Sequence, residues 1–324
     1  MKNLLDAGES VEKISPHKTA FLFPGQGTQY VGMGRELAEN SAAARRVFEE
    51  VDQILGMPLS KVMFEGPEQE LVRTVNAQPA VMAVSLACLE SVKERYGSEG
   101  LPSPAFVAGH SLGEYTALVP AGVLSLTNAV SLVRERGRLM QEASETFPGS
   151  MAVVIGLDEL TVEEVCRETG AEVANVNAAD QIVIAGDKVS LARAMDLAAM
   201  RGARRLLRLQ VGGAFHSKLM ETAAEGMSRV LDNVDFHDSK MPIIGNSTGL
   251  PLLGGSEIRD ELKHQLCGCV RWKNSVDHMT ESGVTRFYEI GPGKVLSNLV
   301  KRAYPWVTAS SISDSQAIAD LDVR

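Results

Sequence analysis

The segment Val107-Ala-Gly-His-Ser-Leu-Gly-Glu-Tyr-Thr-Ala-Leu118 sets the tightest limits on how this chain folds. A short apolar run, Ala105-Phe-Val-Ala108, precedes a serine framed by Gly109 and Gly113, and a stretch free of Gly and Pro follows from Glu114 to Leu118. The pattern reads strand, tight turn, helix. In a G-x-S-x-G elbow the serine takes a strained backbone that lifts its hydroxyl above a sheet, and the glycines let strand and helix pass without collision. Gly109, Ser111 and Gly113 fit that geometry. A glycine-rich turn with an incidental serine fits the same five residues, so partners elsewhere must decide.

The rest of the chain supplies an α/β setting. Ala20-Phe-Leu-Phe23 reads as a strand closed by Pro24-Gly25, with a helix from about Gly32 and further helical patterns from Ala42 to Leu55, Gln78 to Tyr96 and Leu126 to Ser144. Such alternation implies a parallel sheet with its chemistry at the carboxyl ends of the strands, where both Pro24-Gly-Gln-Gly27 and the serine turn fall. After Phe147-Pro-Gly149 the rhythm changes. Strands are expected at Met151 to Ile155, Glu172 to Val176, Gln181 to Ala185 and Ala203 to Leu209. Between them fall a helix from Thr161 to Glu168, opened by a Thr-x-x-Glu capping box, and another from Ser190 to Arg201. This βαββαβ order describes a ferredoxin-like subdomain. It reads as inserted, because beyond Val211-Gly-Gly213 the α/β pattern resumes with strands at Met241 to Ile244 and Arg286 to Ile290, then a helix after Gly291-Pro-Gly293. The expected division is an N-terminal extension over 1–18, a large α/β domain over 19–147 and 211–310, the small subdomain over 148–210 and a C-terminal tail over 311–324.

Composition narrows the classes of function. A chain of 324 residues can bury a large core, and a net charge of −9 argues against a nucleic-acid-binding surface. Cys88, Cys166, Cys267 and Cys269 form no C-x-x-C pair, and Cys267-Gly-Cys269 is too tight to clamp a metal by itself. They read as reduced thiols of a cytoplasmic protein with no metal site. Residues 1–18 lack the apolar core of a secretory signal, and no stretch approaches membrane-spanning length.

A nucleophilic serine needs a base, and among six histidines His216, in Gly212-Gly-Ala-Phe-His-Ser217, occupies a glycine-bordered turn where the chain returns to the large domain. A positioned imidazole there takes the serine proton during attack and returns it to a leaving thiolate. His17, His237, His264 and His278 lie among polar residues and read as surface or structural, while His110 is placed to shape the elbow. The loop Phe23-Pro-Gly-Gln-Gly-Thr-Gln29 follows a strand and can aim backbone N–H groups at a developing oxyanion. Its Gly25-x-Gly27 would also open a dinucleotide fingerprint, but Tyr30 stands where the third glycine belongs. On a helical wheel, Arg136 falls among Leu126, Ala129, Leu132, Val133, Leu139 and Met140, whereas Arg134, Glu135, Arg138 and Glu142 fall opposite. An inward guanidinium facing the same cleft would bind a carboxylate bidentately. A structural ion pair or a snorkelling side chain satisfies the same pattern.

Taken together, Phe23-Pro-Gly-Gln-Gly-Thr-Gln29, Gly109-His-Ser-Leu-Gly-Glu-Tyr115, Arg136-Gly137, Gly213-Ala-Phe-His-Ser217 and Glu289-Ile-Gly-Pro-Gly-Lys-Val-Leu296 resemble malonyl-CoA:acyl carrier protein transacylases in order and spacing, from about Thr19 to Ala309. The resemblance implies an α/β-hydrolase-like large domain with a ferredoxin-like insertion, and a ping-pong malonyl transfer from coenzyme A to the phosphopantetheine thiol of acyl carrier protein. It makes Ser111 the nucleophile and His216 its base. The backbone N–H groups of Gln26 and Leu112 become the oxyanion hole, with Gln265 supporting the histidine. Arg136 becomes the ligand of the malonyl carboxylate, with Met140, Phe215 and Asn177 also at the substrate. Leu112 and Phe215 match the malonyl-selective pattern. No metal or redox cofactor, no nucleic-acid or membrane partner and a monomeric state are expected. Two stretches depart from relatives: Asn177-Ala-Ala-Asp-Gln181 stands where Ser-Pro-Gly is usual between Asn and Gln, and Cys267-Gly-Cys269 stands where a proline is usual before the valine. The implied carrier is acidic, and Arg201, Arg204, Arg205, Arg208 and Lys218 lie beside the His216 loop in sequence. A carrier-protein thioesterase using the same Ser111 and His216, and a carrier-binding scaffold without turnover, are the rival readings.

Overall fold

The computed structural model describes residues 18–97 and 100–321. The extension expected over 1–18, with His17, falls outside these residues apart from Lys18, which opens the first strand. Among the described residues ten strands build two sheets: β1 (Lys18–Phe23), β2 (Phe106–Gly109), β3 (Gly149–Ile155), β4 (Glu172–Ala178), β5 (Gln181–Asp187), β6 (Arg205–Arg208), β7 (Ile243–Ile244), β8 (Pro251–Leu252), β9 (Val284–Ile290) and β10 (Thr308–Ile312). The larger sheet runs β10-β9-β1-β2-β7-β8 and is parallel except at β8. The smaller runs β4-β5-β3-β6 and is antiparallel throughout.

The apolar run of β1 is buried from Thr19 to Phe23, as a central parallel strand covered on both faces must be. Its register against β2 pairs Leu22 with Ala108 and Phe23 with Gly109, so the two carboxyl ends finish level. That alignment sets the Pro24 loop beside the serine turn. Helix Thr74–Tyr96 is buried around nearly its full circumference, with packed residues from Thr74 to Leu89. It begins four residues before the expected Gln78. Contrary to the expectation of no such stretch, it is long and apolar enough to cross a membrane, and 89% of that apolar window is buried inside the protein.

The small sheet sorts its residues by the two-residue alternation of a strand. Ala152, Val154, Ile182 and Ile184 pack under helices Glu159–Thr169 and Lys188–Met200, while Met151, Val183 and Ala185 join the core shared with the large sheet. On β4 a register shift between Val173 and Asn175 breaks the alternation, so Ala174 faces the shared core and Val176 the helices. The chain leaves the large layer and returns to it at one spot, because a Cβ built on Gly149 would lie 2.6 Å from the Cβ of Ala214.

Several boundaries differ from the sequence expectations. The helix expected from Thr161 starts at Glu159, because Asp158 is the cap: its carboxylate accepts from the Thr161 N–H at 2.9 Å. Residues 311–324 are not a tail throughout, since β10 forms the edge of the large sheet and helix Ser315–Ala319 follows it. The strand expected over Met241 to Ile244 shrinks to two residues, and the helix expected from Gly32 begins at Arg35. Glu289 has a structural part, accepting from the N–H groups of Leu296 and Ser297 at 3.1 and 2.8 Å at the start of helix Val295–Ala303.

Candidate active site

Ser111 lies between β2 and helix Leu112–Ala117 at φ 53° and ψ −103°, and His216 has φ 56°. Among the described residues these are the two non-glycine positions with positive φ. Such strain persists only where the surroundings over-determine it. The surroundings here are backbone: a Cβ on Gly109 would sit 1.8 Å from the Gly113 carbonyl carbon, and one on Gly113 would sit 2.0 Å from the Phe23 oxygen. Asn246, just beyond β7, fixes the turn from the other side. Its Oδ1 accepts from the Ser111 N–H at 2.6 Å and its Nδ2 donates to the Gly109 oxygen at 2.7 Å.

Ser111 Oγ stands 2.7 Å from His216 Nε2. The other ring nitrogen, Nδ1, faces the carbonyl oxygens of Gln265 at 2.9 Å and Gly268 at 3.2 Å. Two acceptors require Nδ1 to carry the proton, which leaves Nε2 bare to accept from the serine hydroxyl. Burial first, and the nearby Arg136 charge second, push the His216 pKa down to about 3. The imidazole is therefore neutral at pH 7, the form a general base needs.

Arg136 projects from helix Leu126–Thr146 into this cluster and is 1% exposed. Its Nη2 donates to Ser111 Oγ at 3.0 Å and to Gln265 Oε1 at 2.8 Å, and its Nη1 donates to Gln78 Oε1 at 2.8 Å. The guanidinium also lies 5.2 Å from the centre of the Tyr115 ring. Among the described residues no carboxylate pairs with it, and its Nε–H has no acceptor. Burial lowers its pKa, but an arginine stays protonated. The ion-pair reading of the inward position is thereby removed.

Gln26, His110, Arg136, Met140, Phe215 and His216 surround a cavity of about 100 Å³ at Ser111, which Met151, Asn175 and Val183 of the small sheet close together with Leu209 just beyond β6. The Pro24 loop presses onto the elbow so closely that a Cβ on Gly25 would lie 2.5 Å from the His110 oxygen. This brings Gln26 to the cavity edge. Leu112 opens its helix, so its N–H has no acceptor within that helix. Asn177 differs from expectation. Its Oδ1 accepts from His110 Nε2 at 2.9 Å and it lines a neighbouring cavity, while Asn175, two residues back on β4 and across a register shift of that strand, lines the one at Ser111. Gln78 and Asn246 are contacts the sequence reading missed. Gln78 stands at the head of the apolar run Pro79 to Val84, and Asn246 follows the end of a parallel strand, the two signals that could have marked them.

The acyl transferase domain family matches residues 20–319. A relative from Bacillus subtilis named malonyl CoA-acyl carrier protein transacylase is 44% identical over 306 residues, covering 93% of this chain and 95% of the relative. One of the same name from Escherichia coli K12 is 40% identical, with 93% and 97% covered. The crystal structure of the acyl-carrier-protein S-malonyltransferase from Bartonella henselae superposes with a TM-score of 0.89 at 42% identity, covering 93% of this chain and 97% of that one. A malonyl-transacylase solved in complex with its type II polyketide acyl carrier protein gives a TM-score of 0.89 at 38% identity, covering 93% and 98%. With a family match that takes in nearly all the described residues and relatives aligned over almost their full length, this chain belongs to the acyl transferase family.

Proposed function

We propose that this protein transfers a malonyl group from malonyl-CoA to the phosphopantetheine thiol of an acyl carrier protein through a malonyl-serine intermediate. The observation that carries the reading is Arg136: a buried guanidinium 3.0 Å from the nucleophile hydroxyl with no carboxylate partner of its own among the described residues. A buried charge left unpaired is costly, and the free carboxylate of malonyl supplies the missing partner at the distance where the thioester carbonyl reaches Ser111.

Ser111 Oγ attacks the thioester carbon while its proton passes to His216 Nε2. The oxyanion lies toward the N–H groups of Gln26 and Leu112, the C–S bond breaks, and the coenzyme A thiolate takes the proton from His216. The carrier thiol then attacks the ester, giving its proton to His216, and the C–O bond breaks as Ser111 Oγ is reprotonated. Gln265 holds the Nδ1 side of the imidazole through its carbonyl, and Met140 and Phe215 bound the space for the malonyl methylene. The steps draw on these side chains and the two thiols, without metal or redox cofactor. The two sheets correspond in this reading to an α/β-hydrolase-like catalytic domain and an inserted ferredoxin-like subdomain of a cytoplasmic enzyme.

The test is mass spectrometry of enzyme trapped with malonyl-CoA, then chased with carrier protein. The expected outcome is one malonyl adduct on Ser111, discharged to the carrier thiol, absent in Ser111→Ala and formed roughly 10²–10⁴-fold more slowly in His216→Ala. An adduct on Ser111→Ala, or discharge to water alone with carrier present, refutes the reading.

A further inference from the structure

Beneath the elbow lies a carboxyl group that the transfer steps do not use. Glu114 is fully buried in helix Leu112–Ala117, three residues after the nucleophile. Its Oε2 accepts from Gln265 Nε2 at 2.6 Å, and its Oε1 has no partner. Gln265 itself touches three members of the site. Its Nε2 also donates to the Ser111 carbonyl oxygen at 2.9 Å, its Oε1 accepts from Arg136 Nη2 at 2.8 Å, and its main-chain oxygen receives His216 Nδ1.

An amide has two chemically different ends, and only one orientation suits this place. With Nε2 toward Glu114 and the Ser111 oxygen, Oε1 faces the guanidinium and accepts from it. With the amide turned over, NH2 would face the donors of Arg136 and Oε1 would face two acceptors. The Ser111 oxygen favours the observed orientation, and Glu114 adds a second, shorter contact in the same sense. We infer that Glu114 is a positioning residue for acyl selectivity: through the Gln265 amide it holds Arg136 Nη2 against the Ser111 hydroxyl, where an acyl carboxylate meets the guanidinium. Burial, with the Glu261 charge adding to it, holds the Glu114 carboxyl well above the usual range, so what the site takes from it is an acceptor oxygen at a fixed reach. This rests on the malonyl-transfer reading above and adds to it a residue that touches no substrate atom.

The experiment compares kcat/KM for malonyl-CoA and acetyl-CoA in the full-length enzyme, Glu114→Asp, Glu114→Gln, Gln265→Met and the double variant Glu114→Asp/Gln265→Met. Aspartate is one methylene too short to reach Gln265 and should lower the malonyl value roughly tenfold or more while acetyl changes within about threefold. Glutamine keeps an acceptor at the same reach and should preserve the malonyl-to-acetyl ratio within about threefold. In the Gln265→Met background the aspartate change should fall to about twofold or less, since the relay is already gone. Equal losses for both donors in Glu114→Asp, loss of the ratio in Glu114→Gln, or additive losses in the double variant would overturn the assignment. Each of these leaves malonyl-serine formation by the unsubstituted enzyme untouched, so failure here is separable from failure of the transfer reading.

Discussion

Arg136 carries two roles at the residue scale, and they pull in opposite directions. Its charge depresses the basicity of His216, yet it is also the proposed ligand for the substrate carboxylate. A neutral acyl group leaves the guanidinium unpaired beside the reacting hydroxyl. Arg136→Ala is therefore expected to cost malonyl transfer roughly 2–5 kcal/mol, the usual penalty for breaking a desolvated charge pair, while relative activity toward acetyl-CoA rises. Lysine at this position should restore only part of the loss, because it cannot make the two-pronged contact. The measurement is kcat/KM for both donors on folded variants, and an unchanged malonyl preference in Arg136→Ala would remove Arg136 from substrate selection. Ser111, His216 and Arg136 were legible in the sequence for local reasons: a glycine-framed turn, a glycine-bordered histidine and an arginine on an apolar arc. Asn246 and Gln78 were not, since Asn246 meets the serine turn across 135 residues of chain and Gln78 meets Arg136 across 58. Neither spacing leaves a local pattern.

Among the described residues the edge strand β6 keeps its arginines free of ion pairs, while those just before it are paired. Of the basic residues beside the His216 loop, Arg201 pairs on the surface with Glu164 and Glu168, and Arg204 with Asp180. Among the described residues Arg205 and Arg208 form no ion pair, and both are exposed on β6. Arg205 shares its strand face with Leu207 and lies opposite Ile155 at the outer end of the small sheet. Reversing Arg205 and Arg208 to Glu should raise KM for an acidic carrier protein several-fold at low salt and leave transfer to free pantetheine unchanged. Equal effects on both acceptors, or no dependence on ionic strength, would show that the strand does not steer docking. At this scale the βαββαβ order was readable from periodicity, whereas the long core helix, buried all round, was readable from the length of its apolar run. The Asp158 cap was misread because Thr161 and Glu164 mimic a capping box from inside the first turns, and β8, at two residues, is too short for alternation to register.

Across the whole molecule, two buried groups tie stability to pH with opposite signs. His216 has a folded pKa of about 3 and an ordinary unfolded value near 6.5, so between these the unfolded chain binds the extra proton. Its contribution is complete above about pH 6.5 and is lost as pH falls toward about 3. Glu114, raised in the folded state, contributes below its unfolded pKa and loses that contribution as pH rises through its folded one. The expected result is a Tm that declines between about pH 6.5 and 4 in the natural sequence and declines less in His216→Ala, read by thermal melts across that range. Parallel curves would show that the histidine does not titrate differently on folding. The meeting of Gly149 with Ala214 bears on how such a molecule diversifies. A block whose two ends touch can be exchanged whole, as a cassette, without reopening the layer it leaves. The residues between those ends supply Met151, Asn175, Val183, Leu209 and Val211 of the chamber wall, whereas Ser111, Arg136 and His216 all lie outside them. The shape of the proposed acyl chamber can therefore change, by drift or by recombination, while Ser111, His216 and Arg136 keep their places.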